Sequence, residues 1–385
     1  MSHPPRAMQV YLDNAATTRP SAAVRRAMME ALEVSFGNPS SLHRVGIEAS
    51  RIVERAREEL SALLGDRRRV AFTSGGTEAD ALAIAGVGLR SKRRHLVATA
   101  FEHSAVLDTM RALCDLGAEV TLVPVGSDGV VDPDDVARAV RADTALVAVM
   151  AVQNEIGTVQ PIEAVARRVH EVNDRTVVHV DAVQAVGYVP LEPLAAADTV
   201  VVSAHKMHGP KGSGALLYRE GVVLRPLWSG GGQEGGVRTG TQNVPGIAGL
   251  ALAARDAALA RPEAAARMAR LRDALVGHVL GEVPGSRLVG SQARRSPANA
   301  CLAFPGLRAE PMLHALEAKG IYVSSGSACH AKEGKISHVL EAIGLDASTG
   351  VIRVTLCRET TQDETLHAAR ALVDVARATA LGGAA

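Results

Sequence analysis

The chain has 385 residues, is 47% hydrophobic and 22% charged, and carries a net charge of +1. That length can bury a large core and is expected to divide into two domains. The basic residues are scattered, which argues against a nucleic-acid partner. No apolar run reaches the roughly 18 residues that a membrane span requires. Residues 1–8 lack the apolar centre of a secretory signal. Cys114, Cys301, Cys329 and Cys357 form no CxxC pair, so neither a metal site nor a disulfide framework is expected. A cytoplasmic, reducing setting follows as the expectation. Aromatic residues are only 2% of the chain, so aliphatic side chains must fill the core.

In chain order, residues 11–18 read as a short strand running into a polar turn, and a helix is expected from Pro20 to about Leu32. After a Gly/Pro/Ser loop, residues 42–64 read as a long amphipathic helix with a solvated charged face. A strand at 70–73 leads into Ser74-Gly75-Gly76-Thr77-Glu78, and a helix is expected from Ala79. Strand, glycine turn and helix together present backbone N–H groups and a positive dipole end to a phosphate. The next strand, 95–99, ends at Glu102-His103, ahead of a helix at 105–116. An imidazole at that junction can stack on a planar group and exchange protons near neutral pH. A strand at 145–150 ends at Gln153-Asn154-Glu155-Ile156-Gly157, and the Asn154 amide suits a phenolic oxygen or a carboxylate. A helix follows at 161–172.

Two β-branched runs come next. Val177-Val178-His179-Val180 ends at Asp181, with Gln184 just beyond, and Thr199-Val200-Val201-Val202-Ser203 ends at His205-Lys206. With residues 191–197 as a crossover, a parallel βαβ unit brings Asp181 and Lys206 to one edge of the sheet. Ligands of open α/β sheets bind beyond that edge. An isolated loop lysine is ordinarily a surface residue. A lysine and a carboxylate at successive strand ends are what pyridoxal phosphate needs, one for its aldehyde and one for its ring nitrogen.

Beyond Tyr218 lies a glycine-dense loop through Asn243, then a helical stretch at 250–283 interrupted near Pro262. The pattern then changes to a smaller α+β unit, with strands near 300–304, 321–324 and 351–356 and helices near 311–319, 337–343 and 362–380. Cys329 sits in a loop of small and polar residues with cations nearby, a setting that favours the reactive thiolate. Cys114, Cys301 and Cys357 read as small hydrophobes. Arg353 on the last strand can fork onto a carboxylate.

Taken together, Asp13-Asn14-Ala15-Ala16-Thr17-Thr18, Thr73-Ser74-Gly75-Gly76-Thr77-Glu78, Glu102-His103, Asn154-Glu155-Ile156-Gly157, Asp181-Ala182-Val183-Gln184, Ser203-Ala204-His205-Lys206, Arg238-Thr239-Gly240-Thr241-Gln242-Asn243, Ser325-Gly326-Ser327-Ala328-Cys329 and Ser337-His338-Val339-Leu340 resemble the class V aminotransferase-fold cysteine desulfurases. The resemblance runs from about Tyr11 to Arg358. It implies an α/β fold, the type I fold of pyridoxal-phosphate-dependent transferases. A large domain at 15–255 would hold a mainly parallel seven-stranded sheet flanked by helices. A smaller α+β domain, 1–14 with 256–385, would carry the cysteine loop.

The resemblance also implies roles. Lys206 would hold the cofactor aldehyde, Asp181 the pyridine nitrogen and Gln184 the phenolic oxygen. Gly76, Thr77, Ser203 and His205 would bind the phosphate, with Thr241 reaching it from the partner subunit of a homodimer. His103 would stack on the ring and shuttle protons. Asn14, Asn154 and Arg353 would bind the substrate, L-cysteine, and Cys329 would take its sulfur for an acceptor protein of iron–sulfur assembly or thiolation. Gln153, Thr355 and Cys357 depart from the usual pattern, and the Cys329-His330 pair is also similar to selenocysteine lyases. From another class, a non-catalytic scaffold on the same fold would tolerate loss of Lys206 and purify colourless.

Overall fold

The computed structural model describes residues 9–90, 92–326 and 336–382. In chain order the strands are β1 (Val10–Tyr11), β2 (Arg69–Thr73), β3 (His95–Thr99), β4 (Glu119–Val123), β5 (Thr144–Ala148), β6 (Val177–Asp181), β7 (Thr199–Ser203), β8 (Gly214–Tyr218), β9 (Arg287–Leu288), β10 (Asn299–Phe304), β11 (Ile321–Tyr322) and β12 (Gly350–Thr355). The helices are α1 (Ala22–Glu33), α2 (Arg44–Ser61), α3 (Gly76–Gly88), α4 (Ser104–Cys114), α5 (Pro133–Ala139), α6 (Ile162–Val172), α7 (Val244–Glu282), α8 (Ala309–Ala318), α9 (His338–Ala342) and α10 (Gln362–Gly382).

A seven-stranded sheet in the order β2-β8-β7-β6-β5-β3-β4 forms the centre. Only β8 runs against its neighbours. Strands β5, β6 and β7 are buried along nearly their whole length. Their near-continuous Val and Ala composition is what a parallel sheet covered on both faces requires. Helix α3 packs over β6, β7 and β8. Because β2, β3, β5, β6 and β7 run the same way, the segments that leave their carboxyl ends meet at one edge. A three-stranded antiparallel sheet, β12-β10-β9, and the parallel pair β1-β11 form the smaller α+β part.

Helices α3 and α7 depart from the sequence expectation. Helix α3 begins at Gly76, three residues early. A Cβ on Gly76 would stand 2.9 Å from Val183 Cγ2, so the helix start needs glycine for closeness to the sheet, not for a turn. Helix α7 is one continuous element of 39 residues with Pro262 inside it. Pro262 is exposed, so water can satisfy the carbonyl whose partner the proline removes. The boundary drawn at 255–256 therefore passes through α7. The expected crossover at 191–197 is a short 3-10 turn, Glu192–Ala196, and β6 and β7 pair in parallel across it. Strand β4 and helix α5 had no counterpart in the sequence reading. Among the described residues no helix is long and apolar enough to cross a membrane.

Candidate active site

The converging strand ends enclose a cavity of about 250 Å3. Its lining brings together Gly76, Thr77, His103, Asn154, Asp181, Gln184, Ser203, His205 and Lys206, nine of the residues singled out in the sequence. Five different strands deliver them, which is why no single stretch of sequence contains the site. A larger concavity of about 750 Å3 lies off the β2 edge, lined in part by Arg57, Arg67, Arg69 and Glu234. Arg57 there is already paired with Glu234 at 2.7 Å, and none of the residues singled out above as site candidates lines it.

Lys206 follows β7 and is largely buried. Its Nζ donates to the carbonyl oxygens of Ala15 at 2.6 Å and Ala16 at 2.8 Å. Burial, reinforced by the nearby Arg353 guanidinium, lowers its pKa to about 8. An amine so placed is deprotonated far more often at neutral pH than an ordinary lysine, and is a correspondingly better nucleophile. Asp181 ends β6 and accepts the Val183 N–H at 2.9 Å. Burial raises its pKa, while His103, that N–H and Lys206 favour its charged form. Gln184 donates to Ala15 O at 2.9 Å.

At the other end of the cavity stands the N-terminus of α3, with Gly76 and Thr77 in its first turn. Free backbone N–H groups and the helix dipole favour an anion there. Ser203 Oγ is buried with no hydrogen-bond partner in the protein. Burying an unpartnered hydroxyl is unfavourable, so an orphan at this place argues for a ligand oxygen that completes it. His205 is held neutral, its pKa brought to about 4 by burial first and then by Lys206 and Lys211. It can then serve as a hydrogen-bond donor without adding charge. These residues fit a phosphate monoester attached to an aromatic aldehyde: an anion cradle, an amine and a carboxylate around one cavity.

His103 caps α4. Its Nδ1 accepts the Ala105 N–H at 3.1 Å, so the neutral ring carries its proton on Nε2. The cap and the cavity lining are therefore both served by one side chain. Arg353 is buried on β12 and donates to Asp13 Oδ1 at 2.8 Å and to Asn154 O at 3.1 Å. Its Nε is buried without a partner, a second donor awaiting an acceptor. Gln153, one of the departures, closes the 153–157 turn by accepting the Ile156 N–H at 3.0 Å.

Other candidates lie outside the cavity. Asn14 is buried and spends its amide on Thr355 O at 2.8 Å and Tyr11 O at 3.3 Å. Thr241 is exposed on the loop before α7 and does not line the cavity. Cys329, His330 and Lys332 lie outside the described residues. Of the remaining cysteines, Cys301 and Cys357 are buried, with thiol pKa values pushed up, to about 12 for Cys301. Cys114 differs from expectation: it is exposed, because the last turn of α4 turns that position outward. The sequence reading missed the carbonyls of Ala15 and Ala16, and it missed Asp80, which lines the cavity from α3.

A fold of this topology with an amine, an acid and an anion cradle at one sheet edge defines the pyridoxal-phosphate-dependent transferases. The aminotransferase class-V family matches residues 10–366, and the chain belongs to that family, whose members depend on pyridoxal phosphate. The chain is 43% identical over 358 residues to a cysteine desulfurase of Nostoc sp., covering 92% of this chain and 89% of that one. A solved structure described as a NifS-like protein has a TM-score of 0.89 at 40% identity, covering 96% of this chain and 99% of its own. Another, SspA in complex with cysteine, has a TM-score of 0.79 at 30% identity, covering 91% and 100%.

Proposed function

We propose that the chain is a pyridoxal-phosphate-dependent cysteine desulfurase that moves sulfur from L-cysteine to Cys329 and releases L-alanine. The observation that carries this reading is the meeting of Lys206 and Asp181 in one cavity with a nucleophilic amine of pKa about 8. Membership of the class-V family, and a relative named cysteine desulfurase at 43% identity, support it. So does the cysteine bound to the related SspA.

When bound, the pyridoxal ring supplies an electron sink for the substrate's Cα and Cβ. The chain's own groups do the rest. The α3 N-terminus with Gly76 and Thr77, Ser203 Oγ and the neutral His205 hold the phosphate. Asp181 keeps the ring nitrogen protonated, and Gln184 meets the phenolic oxygen. Lys206 Nζ would hold the aldehyde and, when free, would take the proton from the substrate's Cα. Arg353, helped by Asn154, binds the substrate carboxylate in exchange for part of its contact with Asp13. Asn14 acts through the turn it holds. His103 Nε2 moves protons at the ring. The Cys329 thiolate attacks the substrate sulfur: an S–S bond forms, the Cβ–S bond breaks, and its electron pair stays with the substrate carbon, which is protonated on the way to alanine.

Residues 15–255 form the cofactor-binding domain in this reading, and 1–14 with 256–385 the domain that carries Cys329. The exposed Thr241 reaches the phosphate of a second copy, making the enzyme a homodimer. It acts in the cytoplasm and passes its sulfur to an acceptor protein of iron–sulfur assembly or thiolation. Incubation with L-cysteine and a reductant is expected to yield sulfide and alanine in equal amounts. Cys329→Ser is expected to stay yellow and release almost no sulfide; full activity in that variant removes Cys329 from the mechanism.

A further inference from the structure

Two buried groups beside the cavity have no part in the chemistry above. Asp80 stands on α3, one turn beyond Gly76 and therefore on the same face of the helix. It is 1% exposed and lines the cavity that Asp181 lines. His179 precedes Asp181 by two residues on β6, so both side chains leave the same face of the sheet. His179 is 0% exposed. Its Nε2 lies 3.2 Å from Asp80 Oδ1, and its Nδ1 lies 2.9 Å from Oγ1 of Thr199, its register partner on β7. A chain of polar groups, Thr199–His179–Asp80, thus runs behind Asp181.

The polar and titratable groups around it come from four elements. Helix α3 contributes Asp80, and β6 contributes His179 and Asp181. Strand β7 contributes only the hydroxyl of Thr199, and the turn before α4 contributes Glu102. Burial lowers the His179 pKa to about 3, so its ring is neutral. Burial raises Glu102 to about 8. His103 and Lys206, together with the Val183 N–H, favour the ionised form of Asp181. Asp80 has no such help. Burial and the charges of Asp181 and Glu102 raise its pKa well above the usual carboxylate range. Three carboxyl groups cannot all ionise in one buried cluster, and the first charge goes to the carboxyl whose neighbours favour it, Asp181.

We propose that Asp80 is a positioning residue: as a neutral acid it donates its proton to His179 Nε2, leaves the ring's hydrogen on Nδ1 facing Thr199, and confines the buried negative charge to Asp181. This rests on reading Asp181 as the partner of the cofactor's ring nitrogen. A second ionised carboxylate beside it would draw a proton onto Asp181 and blunt that contact. Asparagine copies the shape and neutrality of the protonated acid, so Asp80→Asn is the informative change.

The test uses the full-length protein, free and loaded with pyridoxal phosphate. In the infrared difference between cofactor-free wild type and Asp80→Asn at pH 7, a protonated-carboxyl C=O band is expected to be lost. Loss of a carboxylate band instead overturns the proposal. In the loaded proteins, the pH midpoint of the visible absorption is expected to agree within about 0.3 unit between wild type and Asp80→Asn, and a shift of about one unit, tenfold in proton affinity, contradicts it. Asp181→Asn is the control and is expected to change that spectrum. If it does not, the assignment of Asp181 fails, and the purpose given to Asp80 fails with it. A shifted Asp80→Asn beside a responsive Asp181→Asn defeats this inference alone. Should Asp80→Asn not fold, His179→Asn serves: the Asp80 C=O band must persist at a new position, and its replacement by a carboxylate band overturns the proposal.

Discussion

The Nζ of Lys206 lies 2.6 Å from the carbonyl oxygen of Ala15, 191 residues earlier in the chain. The amine at the end of β7 is thus held by the turn that follows β1, and that turn is pinned from the other side by Thr18, whose N–H donates to His205 O at 2.7 Å. The Lys206 amine is held by the chain's own backbone, in surroundings that favour its free form.

The first prediction concerns that amine. Its free fraction grows with pH until the pKa of about 8 is passed. The rate at which cofactor-free protein takes up pyridoxal phosphate should rise about tenfold per pH unit below that point and level off above it. Arg353→Gln removes a cation that depresses the Lys206 pKa, so its midpoint should move to higher pH. Stopped-flow absorbance reads both; a rate that keeps climbing through pH 10 in the wild type contradicts the assignment.

Ser203→Ala should have effects of opposite sign on two measurements. Without cofactor, the change removes a buried unpartnered hydroxyl, and urea unfolding should show equal or greater stability, by up to about 1–3 kcal/mol. With cofactor, it removes a hydrogen bond to a charged phosphate, and affinity should fall by about 10- to 100-fold, the equivalent of roughly 1.5–3 kcal/mol. Loss of stability without cofactor would show that the hydroxyl has a structural partner.

Gly76→Ala places a methyl group 2.9 Å from Val183 Cγ2. Overpacking of this kind destabilises by about 1–3 kcal/mol. The strain falls on the α3 start, so cofactor affinity, measured by equilibrium dialysis, should drop along with the melting temperature. An unchanged affinity would separate the helix start from the phosphate.

Arg353→Lys keeps the charge but loses the fork that reaches Asp13 and Asn154 together. The loss should appear in kcat/KM for L-cysteine, at about 10- to 100-fold for one charge-assisted contact. It should appear chiefly as a raised KM, because the contact is made in the bound substrate as well as in the transition state. A change confined to kcat would assign Arg353 to the chemical step.

What the sequence made legible follows a physical pattern. Asp181 and Lys206 could be paired because two β-branched runs joined by a short crossover predict parallel strands, and parallel strands end at the same edge. The start of α3 was misjudged because two glycines suppress a helix expectation that the tight approach to Val183 overrides. The carbonyls of Ala15 and Ala16 were invisible because backbone groups carry no side-chain signature. Pro262 predicts a break because sequence does not report that its side of α7 faces water. Asp80 and His179 left a faint signal, one helical turn from Gly76 and two residues from Asp181. That spacing becomes meaningful only once α3 is known to lie on β6.

The central claim is that Lys206, and no other lysine, holds the cofactor. Reduction of the yellow protein with borohydride, followed by peptide mapping, tests it directly. A phosphopyridoxyl group on the peptide containing Lys206, absent in Lys206→Ala, is the predicted result. The same group on Lys211 or any other lysine, with Lys206 unmodified, would contradict it.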